Sequence, residues 1–394
     1  MMRIGIDATC WWNRRGFGRF TRELLKAMLA QPARAEFTLF VDRPPDEAMC
    51  ADHARIISVG TARSVTEAAV ADDNRPLSDL LAFRRAAAAA DLDLMFYPAV
   101  YSWYPPPSGV RSVVTFHDAI AEHFPALVFP NLKHRFFWKL KTRLADLTAR
   151  RIVTVSEAAK QEIVEHLGFR AERIDVICEG ASAVFRPVAD ASLRLQARER
   201  AGLPDRGRLI LTVGGFAPHK NLLRLLEGFR QVADQPGVED LQLVFVGAPD
   251  GAGFHSNYTE LRTEVEKACA LGGRVHFPGF VDDADLAALY SDALVLAMPS
   301  LSEGFGLPAL EAISCGAPVI AAEVGAVAEI VGDAGLFFDP MDVYQIGQSI
   351  ATLATVDEVR ERLRARTLTQ AQHNTWPRAA ALTLDILERC AGAD

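Results

Sequence analysis

Short runs of β-branched and aromatic residues alternate with longer helical patterns through almost the whole chain, and this alternation limits the fold more than any other feature. In the first half the strand patterns are Arg3–Asp7, Phe37–Val41, Arg55–Val59, Leu94–Tyr97, Ser112–His117, Arg151–Val155 and Arg173–Ile177. Helical patterns at Gly18–Ala30, Ser78–Ala90, Asn131–Ala149 and Glu157–Leu167 lie between them, and Ser156 stands at an N-cap position. The second half repeats the plan. Its strand patterns are Leu209–Val213, Leu243–Val246, Val275–Phe277, Ala293–Met298, Pro318–Ala322 and Gly335–Phe338. Its helices fit Leu222–Val232, Thr259–Ala270, Ala284–Ser291, Ala309–Ser314 and Val343–Ala354. Uninterrupted apolar strands alternating with helices imply parallel sheets covered on both faces, an α/β fold.

A length of 394 residues suits two such domains. Glu179–Pro204 reads as the boundary: it holds Gly180, Pro187, Pro204 and an Arg-rich stretch from Arg194 to Arg200 with no strand pattern. The expected division is 1–185, 205–375 and a last helix over 376–394 that packs back on the first domain. Two doubly wound domains facing each other leave a cleft at the carboxyl ends of their strands, where ligands bind.

The net charge of -8 argues against nucleic acid as a partner. Cys10, Cys50, Cys178, Cys269, Cys315 and Cys390 show no metal-ligand or C-x-x-C spacing, so they read as reduced thiols. No basic stretch followed by an apolar run opens the chain, and no run of ~18 apolar residues occurs. These features point to a cytoplasmic protein.

Residues 299–311, PSLSEGFGLPALE, carry the chemistry. A strand ends at Pro299, a loop with Gly304 and Gly306 follows, and Pro308 opens a helix where its missing N–H costs nothing. Unpaired N–H groups of the loop and first turn, with the helix dipole, form a site for an anion such as a diphosphate. Glu303 lies before the helix and Glu311 about one turn inside it. Each carboxylate accepts two hydroxyl bonds, so a sugar and a ribose are fitting targets at the two ends of one elongated ligand. Taken singly, either residue also reads as a capping or solvated acid.

The string EGFGLPALEA (Glu303–Ala312) resembles the signature of the family-4 retaining glycosyltransferases of GT-B fold, in a mannosyltransferase-like subgroup. The resemblance runs along the chain through VTFHDAIAEHFP (Val114–Pro125), TVSEAAK (Thr154–Lys160), VGGFAPHKN (Val213–Asn221), GFVDDADLAALYSDA (Gly279–Ala293) and the late Trp376. It implies that Glu303 holds donor-sugar hydroxyls, that Gly304, Phe305, Gly306 and Leu307 present backbone groups to sugar and diphosphate, and that Glu311 holds the ribose. It further implies Gly214 and Gly215 near the donor, Lys220 neutralising the diphosphate, Val281 offering backbone contacts to the base, and His117 facing the donor sugar. Many members carry an Arg where this chain has Gly215, which leaves the phosphate charge to Lys220, the loop amides and His219. A lysine at a helix start opposes the dipole, which favours a ligand role for Lys220 over a surface one. His117 also reads as a core histidine bonded to backbone.

The loop from Asn13 to Leu24 holds Gly16 and Gly18, with Thr21 where a dinucleotide fingerprint needs a third glycine. By resemblance, Gly16, Gly18 and Arg19 meet donor phosphate or acceptor, and Arg14 and Arg15 suit an anionic acceptor or a solvated face. The expected reaction moves a hexose, mannose among the candidates, from a nucleotide-diphosphate sugar to a saccharide or polyprenyl-linked saccharide. It passes an oxocarbenium-like transition state, with the diphosphate stabilised by amides and Lys220. No cofactor or metal is expected; Asp91 and Asp93 have Asp-x-Asp spacing but lie remote from the motif.

Between Arg111 and Arg151 eight Lys/Arg face three acids, and Lys133–Lys141 mixes charge with Phe136, Phe137 and Trp138. That pattern suits peripheral contact with the inner face of a membrane, or equally a packed core with a solvated basic face. An epimerase of GT-B-like fold and a non-catalytic nucleotide-sugar-binding protein remain the alternatives.

Overall fold

The computed structural model describes residues 2–13, 16–32, 34–61, 76–129, 131–248, 256–268, 271 and 273–392. The chain forms two compact units, Met1–Gly180 with Thr375–Asp394, and Ala181–Asn374. Each is built on a parallel sheet.

In the first unit β1 (Met2–Asp7), β2 (Ala35–Val41), β3 (Ala54–Ser58), β4 (Leu94–Tyr97), β5 (Arg111–Thr115), β6 (Arg151–Thr154) and β7 (Ile174–Val176) form a seven-stranded sheet in the order β3-β2-β1-β4-β5-β6-β7. Ile4, Leu39, Phe96, Val113 and Ile152 are buried along it, as continuous apolar strands require. The Gly16–Leu29 helix buries Phe20, Leu24, Leu25 and Met28, one stripe at helical spacing.

The Trp376–Gly392 helix completes this unit. Gly180 is where it docks: a Cβ there would lie 2.4 Å from the Trp376 nitrogen. Gln31 Nε2 donates to the Pro377 carbonyl at 3.0 Å, and Arg34 pairs with Asp385 and Glu388. Arg111 Nη1 donates to the carbonyls of Cys390 and Ala391, capping the helix end. Asp91 and Asp93 both pair with Arg3, so the Asp-x-Asp spacing serves a structural ion cluster.

In the second unit β8 (Arg208–Val213), β9 (Leu241–Val246), β10 (Val275–Gly279), β11 (Val295–Met298), β12 (Val319–Ala322) and β13 (Gly335–Phe338) run β10-β9-β8-β11-β12-β13. The core joins Leu225, Phe229, Leu243, Phe245, Val295 and Ile350. The segment read as a boundary carries a helix, Ala191–Arg200, that belongs to this unit. Arg198 Nε donates to Asp292 at 2.5 Å and Arg200 Nε to Asp285 at 2.7 Å, so the arginines anchor it. The helix read as Thr259–Ala270 is described over Tyr258–Lys267. Among the described residues Cys10, Cys50, Cys178, Cys315 and Cys390 form no disulfide; Cys269 lies outside the described residues.

Candidate active site

In each sheet the strand order reverses beside the first strand, between β1 and β4 and between β8 and β11. Loops leaving neighbouring strands on opposite sides of such a point splay apart, and the gap is where doubly wound folds take ligands. In the second unit these are the loops after β8, holding Gly214, Gly215 and Lys220, and after β11, holding Glu303.

The β11 loop is shaped by its glycines. Gly306 sits at φ +92, a left-handed conformation suited to glycine, immediately before the Leu307–Ser314 helix. A Cβ on Gly306 would also lie 2.9 Å from Val327 Cγ2. Pro308 falls in the first turn as its missing N–H allows. Glu303, Phe305 and Glu311 are buried, as are Gly304 and Gly306. Tyr290 OH donates to Glu311 Oε2 at 3.4 Å. Beside Glu311, the buried Cys315 thiol is pushed up to about 12, chiefly by burial. Val281 follows β10 with a buried side chain.

Gly214, Gly215, Lys220, Ser300 and Glu303 line one pocket; Val281 and Glu311 do not. Lys220 Nζ donates to Glu303 Oε1 at 2.7 Å, and Ser300 Oγ to the same oxygen at 2.6 Å. Burial raises the pKa of Glu303, but the Lys220 charge and the two hydrogen bonds outweigh it and hold it below the usual carboxylate range. The ion pair lies in the lining of this pocket, a hollow of ≈ 10 Å³, about the room one water needs.

His219 is half-buried beside Lys220. Burial, with Lys220 beside it, lowers its pKa to about 4, so the ring is neutral near pH 7. Its backbone accepts from Leu301 N–H at 2.8 Å, tying the β8 loop to the β11 loop.

Asn221 has a role that sequence reading missed. It holds φ +58 between the Pro218–Lys220 turn and the Leu222–Val232 helix. Its Nδ2 donates to the carbonyls of Pro299 at 3.0 Å and Pro340 at 2.8 Å. One buried amide thus joins three loops beside Lys220. A non-glycine left-handed residue is the signal, and asparagine, which tolerates that conformation, is the one hint in the sequence.

In the first unit His117 follows β5. Its Nε2 lies 3.0 Å from the Pro98 carbonyl, which only accepts, so Nε2 carries the proton. Its Nδ1 is 3.8 Å from Glu179 Oε1, and Phe20 packs edge-on at 4.6 Å. Glu179, read only as part of the boundary, is buried with its pKa raised by desolvation against the pull of His117 and Arg19. Its Oε2 has no hydrogen-bond partner. Both ring nitrogens of His117 thus have protein neighbours.

Gly16 and Gly18 differ in kind. A Cβ on Gly18 would lie 2.1 Å from the Asn13 carbonyl oxygen, whereas one on Gly16 meets nothing within 4 Å. Gly18→Ala should therefore destabilise by about 1–3 kcal/mol, the scale of overpacking, while Gly16→Ala stays near wild type. Thermal melts of the two variants check this, and equal melting points would contradict it. Arg19 is half-buried and acts on Glu179. Arg14 and Arg15 lie outside the described residues.

The Leu132–Thr148 helix exposes Leu132, Phe136, Phe137, Leu140, Leu144 and Leu147 on one face. Trp138 is not part of it: the indole is buried and donates to Glu122 at 2.6 Å, because position 138 falls on the face that packs inward. Burial raises that Glu122 carboxyl to about 7. Lys133, Lys139 and Arg143 are exposed, whereas Lys141 Nζ donates to the Tyr101 carbonyl at 2.6 Å. Arg151 pairs with Asp175. Among the described residues no helix is long and apolar enough to cross a membrane, and no cluster of three His, Cys, Asp or Glu is arranged to hold a metal.

Two family models match the chain, Glycosyltransferase Family 4 over residues 14–183 and Glycosyl transferases group 1 over residues 194–369. The O-antigen chain mannosyltransferase B of Escherichia coli is 28% identical over 381 residues, 94% of this chain and 95% of that one. The serotype-specific mannosyltransferase WbdA of Escherichia coli is 28% identical over 241 residues, 60% of this chain but 28% of its own length. Sucrose-phosphate synthase from Thermosynechococcus elongatus shares the fold, with a TM-score of 0.76 at 21% identity and full coverage of both chains. With a glycosyltransferase model on each parallel-sheet unit, the chain belongs to the family-4 glycosyltransferases and is an enzyme of GT-B fold.

Proposed function

We propose that this enzyme is a retaining hexosyltransferase that moves mannose from a nucleotide-diphosphate sugar to a saccharide or polyprenyl-linked saccharide in polysaccharide synthesis. The observation that carries the donor site is the meeting of Lys220 and Glu303 at 2.7 Å across the switch point of the second sheet. A cation and a buried carboxylate there match the two ends of a sugar diphosphate, one charged and one rich in hydroxyl donors. The mannose reading is supported by the O-antigen chain mannosyltransferase B, which aligns with nearly the whole chain.

In this reading the diphosphate lies on Lys220 and the amides of Gly304 to Leu307, Glu303 accepts from sugar hydroxyls, and Glu311 accepts from the ribose. Val281 serves the base through its backbone, and Gly214 and Gly215 let the phosphates approach. As the sugar–phosphate bond breaks, charge grows on the diphosphate, and fixed donors already aimed there stabilise it. The acceptor hydroxyl enters on the face the diphosphate leaves, which retains configuration, and its proton passes to the departing phosphate oxygen. His117 serves turnover from the first unit, and Gly16, Gly18 and Arg19 border the acceptor. No metal takes part, so turnover should persist in excess EDTA; loss restored by magnesium or manganese would contradict it.

The deciding experiment is a thermal-shift screen against GDP, UDP, dTDP, ADP and their sugars, followed by product detection with the stabilising donor. A donor that raises Tm and yields a glycosylated product supports the reading. Stabilisation by no nucleotide would remove it.

The acceptor side is proposed to be peripheral on the inner face of a membrane. The exposed face from Leu132 to Leu147 places apolar side chains beside Lys133, Lys139 and Arg143. Each basic residue near anionic lipid contributes ~1 kcal/mol. Anionic liposomes should sediment the enzyme at low salt and release it at high salt, because exposed charges are screened. Phe136→Ser with Phe137→Ser should weaken sedimentation; no binding by wild type at low salt would favour a soluble acceptor.

A further inference from the structure

We infer that Glu303 also sorts the loaded donor from the spent nucleoside diphosphate, by competing with the phosphates for Lys220. The inference rests on the donor-site reading above. Among the described residues Lys220 has one carboxylate partner, Glu303, at 2.7 Å, and the pair helps line the pocket with Gly214, Gly215 and Ser300. A diphosphate seated on the ammonium draws it off Glu303. Among the described residues the carboxylate is then left with Ser300 as a donor, at 2.6 Å. Its side chain is only 10% exposed, so water replaces little of what is lost. Stranding a buried charge by removing its partner is costly.

The two ligands differ at this point. An intact nucleotide sugar brings hydroxyl donors to Glu303 in exchange for the ammonium. A nucleoside diphosphate brings none, so it bears the whole cost of the separated pair. Glu303 therefore weakens product binding while it supports donor binding. After transfer the sugar is gone, Lys220 returns to Glu303, and the diphosphate loses its cation. The carboxylate that recognises the substrate also helps to eject the product.

The test is calorimetric titration of GDP, UDP, ADP and dTDP into wild type, Glu303→Gln, Glu303→Ala and Lys220→Met, each with a cooperative melt. Both Glu303 variants should bind the preferred diphosphate at least ~10-fold more tightly than wild type, the low end of close charge-pair couplings. That gain should appear although the same variants lose affinity for the nucleotide sugar. Lys220→Met should lose diphosphate binding. A measurement on the wild type needs no substitution: excess free mannose, glucose or galactose should tighten diphosphate binding by giving Glu303 its hydroxyls.

Unchanged or weaker diphosphate binding in both Glu303 variants overturns the inference. So does the absence of tightening by any of the three sugars, should neither variant fold. In both cases the donor site stands if Lys220→Met abolishes binding. Failure of every diphosphate to bind wild type and variants alike removes the donor-site reading itself.

Discussion

Replacing Lys220 by alanine should lower turnover by ~10²-fold or more, the scale for loss of one electrostatic stabiliser, while the fold survives. The lysine side chain is 20% exposed at the end of a short turn. Its removal would strand Glu303, whose pKa is low because Lys220 is there. Burial pushes the other way, so the variant leaves the carboxyl with an unfavourable choice between a buried charge and an added proton, a cost that falls short of unfolding the protein. The kinetic cost is larger, because among the described residues Lys220 is the one charged donor lining the pocket: His219, pushed to about 4, is neutral near pH 7. Steady-state kinetics separates the terms. If the ammonium acts mainly on charge that develops as the diphosphate departs, kcat and kcat/KM fall together; if it only binds the donor, KM rises at constant kcat. Lys220→Arg should rescue incompletely, since a guanidinium fork does not reproduce a compact ammonium. Near-wild-type turnover of Lys220→Ala would refute the phosphate role.

The two-sheet architecture was legible because the central strands are buried and so read as largely apolar runs. Arg3–Asp7 and Leu209–Val213 show this, and they became the first strands of the two sheets, β1 (Met2–Asp7) and β8 (Arg208–Val213). The β11 loop was legible for a local reason: Gly304, Gly306 and Pro308 state its backbone requirements within a few residues. What joins the loops was hidden. Lys220 and Glu303 are 83 positions apart, and nothing in either segment names the other as its partner. Glu179 shows the same limit, since a carboxylate beside Gly180 reads as a surface acid until the fold buries it against His117. Trp138 failed differently. Its helix was found, but a short basic–aromatic run does not say which aromatic faces inward, and the bond to Glu122 settles that. The Arg194–Arg200 stretch lacked a strand pattern because it is helical, with arginines spent on Asp285 and Asp292.

The largest stability effect is expected at Asn221. Alanine there should cost about 3–5 kcal/mol, near the upper end for single substitutions. Two mechanisms act together. The carbonyls of Pro299 and Pro340 are buried and both accept from Asn221 Nδ2, so truncation leaves two acceptors unpaired, at about 1–3 kcal/mol each. The backbone at φ +58 adds a penalty, since an alanine pays about 1–2 kcal/mol to sit there. Two further variants divide these terms. Asn221→Gly accepts the left-handed backbone but donates nothing, so it should be less damaging than alanine by about 1 kcal/mol. Asn221→Asp tolerates the conformation but turns a donor into an acceptor facing two carbonyls, so it should be at least as damaging as glycine. Activity should fall further than stability in all three, because Asn221 fixes the residue beside Lys220 to the Pro299 end of the β11 loop. In the proposed donor site a slack loop separates Lys220 from the glycine-loop amides proposed to share its ligand, and small misplacements carry large rate costs. Chemical denaturation of the three variants, with kinetics on the same preparations, tests the account. An Asn221→Ala enzyme within 1 kcal/mol of wild type, with normal turnover, would show that the three loops hold their places without this amide.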